Sequence, residues 1–301
     1  MSKKISYDGI FKELIDESPN ESIIELINNL FEVNYSLDCE VQKLATESHI
    51  GGKEQRSDIL FRIDSDMYHA EVQSNDHNNI SLRVFQYSYR AALLHGKTTE
   101  KGYLKLDFPK SVVFYLRSDE KTPKELTIEL NLPDGNTALF KIPTKHLKEY
   151  KPQELIDKSM LAFIPHYPMT FDDNLDEKAL KKLKESNQII VDGIANKAEN
   201  GEIDSRIAGL TISGLKAVNK EILTQNKINQ KEVDEIMEAI ERRFNLDPLN
   251  WEASGRAKGK AEGKEEDAKK MFIKGFSFED IQDITGLKTE ILQKIQFSIS
   301  K

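Results

Sequence analysis

The chain has 301 residues, a formal net charge of −8 and a hydrophobic content of 38%. This length suffices for roughly two domains of ordinary size. The composition excludes a disordered chain, and because no apolar run approaches the ~20 residues that span a bilayer, we expect no membrane partner. The acidic net charge argues against broad, nonspecific binding of nucleic acids, which requires a basic field.

Cysteine use and the N-terminal sequence predict a cytoplasmic protein. Cys39 is the single cysteine of the chain, which excludes an internal disulfide framework and indicates a reducing compartment. The opening MSKKISYDGI lacks the apolar stretch of a signal peptide. The stretch GGKEQRS lacks the spacing of a phosphate-binding loop, and we expect no organic cofactor.

Hydrophobic periodicity predicts an α/β region over residues 1–145. Residues 7–31 have helical spacing, with a break and a new cap at 18–20 (SPN). Further along, ELTIEL and TALFKIP are predicted strands around NLPDGN, where the Asp134-Gly135 step is typical of a hairpin. The other predicted strands cover 35–44, 57–63, 67–73 and 110–118, a helix covers 80–97, and 51–56 is predicted as a loop.

Strand signals end near residue 145. We predict a mostly helical region over 146–250, where apolar residues have helical spacing at Val233, Ile236, Met237 and Ile240. Residues 251–301 are predicted as a glycine- and charge-rich spacer followed by a pair of C-terminal helices, with Ser277 and Asp280 as a cap pair. The spacer glycines are four residues apart, at Gly255, Gly259 and Gly263.

The register of the two central strands can be predicted from their apolar faces. These faces are Ile59, Phe61 and Ile63 in SDILFRI, and Tyr68, Ala70 and Val72 in MYHAEVQ. Directly opposed residues lie on one face of an antiparallel hairpin, so odd positions of the first strand must oppose even positions of the second. A turn of two or four residues, SD or DSDM, satisfies this condition. In this register Asp58 and Glu71 emerge close together on the other face, which Gln73 shares.

Two neighbouring acids on this face predict a metal site. Carboxylates about 4 Å apart repel by about 4 kcal/mol at an effective dielectric constant of 20. Protonation of one acid, a neutralising base or a bridging cation relieves that repulsion. Oxygen ligands of this kind suit Mg²⁺ or Mn²⁺, which polarises phosphoryl oxygens and activates bound water. We therefore predict a cation at Asp58 and Glu71, with Gln73 orienting the water or a phosphate.

The residues of this hairpin also resemble a known family. Arg56-x-Asp58, AEVQ at the end of a strand, and Arg83-x-x-x-Tyr87 on a helix resemble the PD-(D/E)xK nuclease superfamily, most closely its Rpn branch of recombination-promoting nucleases and transposases. YDGIFKELI, HGKTTEKGYLKL and the glycine-repeat tail are similar to that branch too.

The resemblance implies a PD-(D/E)xK nuclease domain over residues 1–145, with a restriction-endonuclease-like mixed sheet flanked by helices. It implies magnesium-dependent hydrolysis of DNA, linked to recombination or mobile elements. Asp58 would be the first acid and Glu71 the second. Gln73 stands where the superfamily usually has lysine, so water activation would depend more heavily on the metal.

A basic stretch over 83–105 is the predicted DNA contact. It carries five basic residues against one acidic residue, Glu100. Arg83, Tyr87 and Arg90 share one helical face, which is either a solvated stripe or, together with Arg56, a surface that contacts phosphates. For His69, a hydrogen-bonded strand histidine is favoured over a direct role in the site.

Two functions from different classes remain open. The first is a metal-dependent DNA endonuclease, and the presence of both acids favours it. The second is a non-catalytic DNA-binding or assembly protein with a degenerate nuclease fold, which Gln73 and the acidic net charge favour. DNA is the expected partner in both cases, and the sequence also allows a homodimer.

Overall fold

The computed structural model describes residues 7–44, 47–50, 53–56, 59–74, 79–171, 175–243, 264, 267–287, 289, 292, 295 and 296. The chain divides into two compact units, Met1–Phe244 and Asn245–Lys301. The first unit therefore contains both regions that the sequence separates near residue 145. No helix within the described ranges combines enough length and apolar character to cross a bilayer.

A six-stranded mixed sheet forms the centre of the first unit. Its strands are β1 (Val41–Lys43), β4 (Ile59–Ile63), β5 (Asp66–Gln73), β8 (Lys110–Tyr115), β9 (Glu125–Asn131) and β10 (Thr137–His146). They are ordered β1-β4-β5-β8-β10-β9, with β5, β8 and β10 mutually parallel and the remaining pairs antiparallel. The predicted α/β class and the predicted hairpin around Asp134-Gly135 are confirmed.

One face of the sheet is covered by apolar and aromatic side chains. The covering elements are α1 (Tyr7–Glu17), α2 (Asn20–Phe31) and a 3₁₀ helix, Leu161–Phe171. Phe114 of β8 stacks on Phe163 with ring centroids 3.9 Å apart, and Phe163 lies 5.2 Å from Phe11 of α1. The predicted break between the first two helices is confirmed, and Ser18 Oγ donates a hydrogen bond to the carbonyl of Leu14 there.

Helix α3 (Ile80–Leu94) covers the opposite face of the sheet. Ile80 and Val84 of this helix pack in one core cluster with Val113, Tyr115 and Ile142 of the sheet. Both faces are therefore buried, which is the arrangement expected where a helix connects two parallel strands, here β5 and β8.

The rest of the first unit is helical, as predicted. Its helices are α4 (Pro152–Asp157), α5 (Glu177–Glu199), α6 (Ser205–Gln225) and α7 (Gln230–Arg243). The Asp176 and Asp204 carboxylates cap α5 and α6 by accepting from backbone N–H groups at 2.7 and 2.8 Å. Gly214 of α6 lies so close to α1 that an added Cβ would be 2.9 Å from Ile10.

The second unit contains the predicted helix α8 (Phe278–Thr285). Ser277 Oγ accepts from the backbone N–H of Asp280 at 3.1 Å, and Gly286 ends the helix with a φ of 65°, so the predicted cap and turn are confirmed. A small core joins this helix to its neighbours through Ala268, Ile281, Leu287 and Leu292. Gly255, Gly259 and Gly263 lie outside the described residues.

Several predicted elements differ from the structure. The helix predicted over 80–97 ends at Leu94, and Lys97 lies in a strand. The strand predicted over 35–44 is reduced to the three residues of β1. Within the loop predicted over 51–56, Lys53–Arg56 forms strand β3, which pairs with β2 (Glu47–Ile50). Both strands are almost entirely polar, so they lack the alternation from which a strand is recognised in a sequence.

Candidate functional site

The hairpin of β4 and β5 has the predicted pairing of odd with even positions. Ile59 lies opposite Ala70, and Phe61 lies opposite Tyr68. The turn consists of Asp64 and Ser65 rather than SD or DSDM, and Asp64 adopts a left-handed φ of 52°. Compared with either predicted turn, the pairing register is shifted by two residues, which keeps every side chain on its predicted face because side chains alternate with a period of two.

The polar row on β5 is buried beneath α3. His69, Glu71 and Gln73 are only 0, 1 and 4% exposed. The row is therefore not a solvated face. Three polar side chains in such a position require hydrogen-bond partners within the protein, because burying an unpartnered polar group costs about 1–3 kcal/mol.

Glu71 is held by two basic side chains. Arg83 Nη2 donates to Oε2 at 2.7 Å, and His69 Nε2 lies 3.3 Å from Oε1. The Arg83 side chain comes from the first turn of α3 and is 36% exposed. The ion pair therefore connects a buried carboxylate to the protein surface, and it neutralises Glu71 through a base, one of the three ways in which a buried acid can be accommodated.

His69 continues this contact into a chain of hydroxyl groups. Its Nδ1 lies 3.1 Å from Ser88 Oγ of α3, which lies 2.9 Å from Ser111 Oγ of β8. Ser111 Oγ in turn donates to the carbonyl of Pro109. Each hydroxyl has one proton, so with Ser111 donating to Pro109, Ser88 donates to Ser111 and is left to accept from His69 Nδ1. The predicted hydrogen-bonded strand histidine is thus confirmed, and it also contacts Glu71.

Gln73 lies at the end of β5, beyond Glu71 on the same face. Its Nε2 donates to the carbonyl of Val72 at 3.0 Å. Its neighbour across the ladder is Tyr115 of β8, whose ring stacks on His146 with centroids 5.5 Å apart. Burial lowers the pKa of His146 below its ordinary value, which favours a neutral ring there.

Two predicted site residues lie at the limit of the described chain. Asp58 is outside the described residues. Ile59 and Ala70 are directly opposed in the hairpin. In the sequence, Asp58 directly precedes Ile59 and Glu71 directly follows Ala70. The backbone of Arg56 ends β3 opposite Glu47, and its side chain is outside the described part of the structure.

The predicted DNA-contact face of α3 is divided between the sheet and the surface. Arg83 reaches Glu71, and Tyr87 is buried with its ring edge-on to His69 at 5.8 Å. Arg90 is half-buried. Arg83 and Tyr87 therefore belong to the Glu71 cluster, so this face is not a uniformly solvated stripe.

Of the two predicted metal ligands, Glu71 lies within the described residues. Within the described residues, no group of three or more His, Cys, Asp or Glu side chains is arranged to hold a metal. Magnesium does not require one, because it is commonly held by one or two carboxylates, water and substrate phosphates. An ionised carboxylate has about four lone-pair positions, and the contacts from Arg83 and His69 use two of those of Glu71.

Ser88 and Ser111 were not predicted to belong to the site. Ser88 lies four residues after Val84 and three before Ala91, within the apolar stripe of α3. A serine within such an apolar stripe indicates that a polar partner lies opposite it on the facing strand.

Comparisons of the chain with protein-family models, with curated proteins and with solved structures gave no match.

Proposed function

We propose that this chain is a metal-dependent endonuclease that hydrolyses phosphodiester bonds of DNA, with a restriction-endonuclease-like fold of the PD-(D/E)xK type. The observation that carries the proposal is the buried carboxylate of Glu71, at the end of a central strand and connected to the surface by Arg83. The sequence resemblance supports Asp58 as the other carboxylate of the site.

The proposal gives each residue a role. Asp58 and Glu71 would hold a Mg²⁺ or Mn²⁺ ion, which when bound would polarise a phosphoryl oxygen and activate a water molecule. Gln73 orients that water, and His69 fixes the carboxylate of Glu71. Arg83 neutralises Glu71 before substrate binds, and its partly exposed guanidinium has the fork geometry that suits a phosphate.

Cleavage of supercoiled plasmid DNA tests the proposal. We expect nicking with magnesium or manganese and none with chelator. Glu71→Gln should lower the rate by about 100-fold or more, because the side chain keeps its size but loses the charge that binds the cation. Glu129→Gln makes the same change at an exposed strand position and should cleave like the parent. Equal rates for the parent and Glu71→Gln would refute the assignment of the site.

One observation favours the non-catalytic alternative. The guanidinium of Arg83 already supplies the positive charge that a cation would provide at Glu71. A degenerate nuclease fold that binds DNA without cutting it would retain such an ion pair. A parent protein that shifts DNA in a gel but never nicks it with either metal would establish this alternative.

A further inference from the structure

A small hairpin follows α3 and leads into β8. Its strands are β6 (Lys97–Thr98) and β7 (Leu104–Lys105). In the turn, the N–H and the hydroxyl of Thr99 both donate to the carbonyl of Tyr103, at 2.9 and 3.1 Å. Gly102 has a φ of 81°, a left-handed conformation that glycine adopts without strain. The hairpin is therefore a defined structure with a fixed turn.

The outer face of this hairpin carries one aromatic ring and two cations. Lys97 lies directly opposite Lys105, so the two side chains share a face. Tyr103 directly precedes β7, and its carbonyl accepts from Thr99 at the next position of the ladder, so continued strand alternation places its side chain on the same face as Lys105. All three side chains are exposed, Tyr103 to 58%.

The inner face of the hairpin is anchored to the end of α3. A Cβ atom added at Gly96 would lie 3.1 Å from Leu104 Cδ1 and 2.8 Å from Leu106 Cδ2. The two leucines therefore contact the glycine, and Leu104 remains 53% exposed.

The lysine pair is unfavourable in the protein alone. Like charges directly opposite each other destabilise an antiparallel pair. Lys105 Nζ lies 3.0 Å from Asp107, but both side chains are more than 60% exposed, so this ion pair contributes little. An anion bound beside the two lysines would relieve their repulsion. If the anion also carried a flat ring, that ring could stack on Tyr103.

We propose that this face binds a single strand of DNA, with a base stacked on Tyr103 and phosphates beside Lys97 and Lys105. Proteins that bind single strands combine cationic grooves with aromatic side chains on which unpaired bases stack. A duplex conceals its base faces and cannot use an exposed tyrosine in this way. The choice of DNA as the ligand rests on the proposed function. The location of the binding surface and the preference for a single strand go beyond that function.

Fluorescence anisotropy with labelled oligodeoxythymidine, in chelator to prevent cleavage, tests this surface. Tyr103→Ala should weaken binding about tenfold, because base stacking on an aromatic side chain is lost. Tyr103→Phe keeps the ring and should bind within about twofold of the parent. Lys97→Gln with Lys105→Gln should lower the slope of log affinity against log salt by about 1.4, or about 0.7 for each phosphate contact.

A matched pair of charge changes is the control for net charge. Lys178→Gln with Lys220→Gln removes two exposed lysines from α5 and α6 and should leave the affinity near that of the parent. The proposal is overturned if this control weakens binding as much as the hairpin pair, or if Tyr103→Ala binds like the parent. It is also overturned if Tyr103→Ala converts a dimer to a monomer without changing DNA affinity, since the occupant is then a second copy.

The outcomes separate this inference from the proposed function. If the parent never cleaves DNA but Tyr103→Ala weakens binding of the single strand, the proposed nuclease activity fails and the binding surface stands. If the parent cleaves and Tyr103→Ala binds normally, the binding surface fails and the nuclease stands.

Discussion

Two buried polar clusters in the first unit differ in what they require from their surroundings. Between α5 and α6, Asn187 and Asn219 exchange side-chain hydrogen bonds at 2.8 and 3.1 Å, and Asn219 also donates to the carbonyl of Leu215. Both amides are neutral and almost fully buried. The Glu71 cluster instead contains a carboxylate and reaches the surface through Arg83.

The difference separates a structural cluster from a candidate functional one. The asparagine pair satisfies its own hydrogen bonds and specifies how two helices pack. Glu71 carries a charge that the protein must neutralise, and its neutralising partner is accessible to solvent and to ligands. In this arrangement a cation can compete with Arg83 for the carboxylate of Glu71, and a phosphate can compete with Glu71 for the guanidinium of Arg83.

Removal of Arg83 should have the largest effect on stability. Arg83→Ala leaves Glu71 buried with its charge uncompensated on one side, and we expect the free energy of unfolding to fall by about 3 kcal/mol. Magnesium should then stabilise Arg83→Ala more than the parent, because the cation no longer competes with the guanidinium. At a hundredfold excess over its dissociation constant the metal would add about 2.7 kcal/mol.

Denaturant unfolding with magnesium and with chelator measures both effects. Arg206→Ala is the matched control, because Arg206 also lies in the first turn of a helix and pairs with a carboxylate, that of Glu17, but is 62% exposed. It should lose less than about 1 kcal/mol and respond to metal like the parent. Coincident curves with and without metal for Arg83→Ala would count against cation binding at Glu71.

Much of the sheet could be predicted because alternation determines which side chains share a face. That Ile59 and Ala70 lie on one face depends only on that period, so it is unaffected by the two-residue shift in register, which changes which residues are directly opposed. The helices of the C-terminal half were predictable for a similar reason, since their apolar residues recur at helical spacing. The polar strands β2 and β3 have no such pattern, and they were missed.

The partner of Arg83 could not be predicted from the sequence. Hydrophobic patterns place polar residues away from the apolar core, but they do not distinguish a polar face in water from two polar faces turned toward each other. The row on β5 and the polar side of α3 are such a pair, joined by Glu71 with Arg83 and His69 with Ser88. Only the packing of α3 across the sheet brings them together.

The asparagine pair should respond differently from the Glu71 cluster. Asn219→Ala leaves the amide of Asn187 buried without its partner, and we expect a loss of about 2 kcal/mol in the free energy of unfolding. Replacing both residues by leucine should restore stability to within about 1 kcal/mol of the parent, because no polar group is then left unsatisfied. Thermal and denaturant unfolding provide the measurement. DNA affinity and metal response should match the parent in both variants, and a change in either would remove the distinction between the two clusters.

The smallest expected effect tests the direction of the hydroxyl chain. If both nitrogens of His69 donate, Ser88 must donate onward to Ser111, and Ser111→Ala leaves the buried Ser88 proton without its acceptor. We expect a loss of about 1 kcal/mol in the free energy of unfolding. If Nδ1 instead accepts from Ser88, Ser88 needs no acceptor at Ser111, and Ser111→Ala should show a smaller loss, because only its own hydrogen bond to the carbonyl of Pro109 is removed. Ser88→Ala is the companion variant, since it removes the partner of His69 in either case and should be destabilised under both directions. A loss in Ser111→Ala well below that in Ser88→Ala would show that Ser88 donates to His69 Nδ1 rather than to Ser111, and similar losses in the two variants would show the opposite direction.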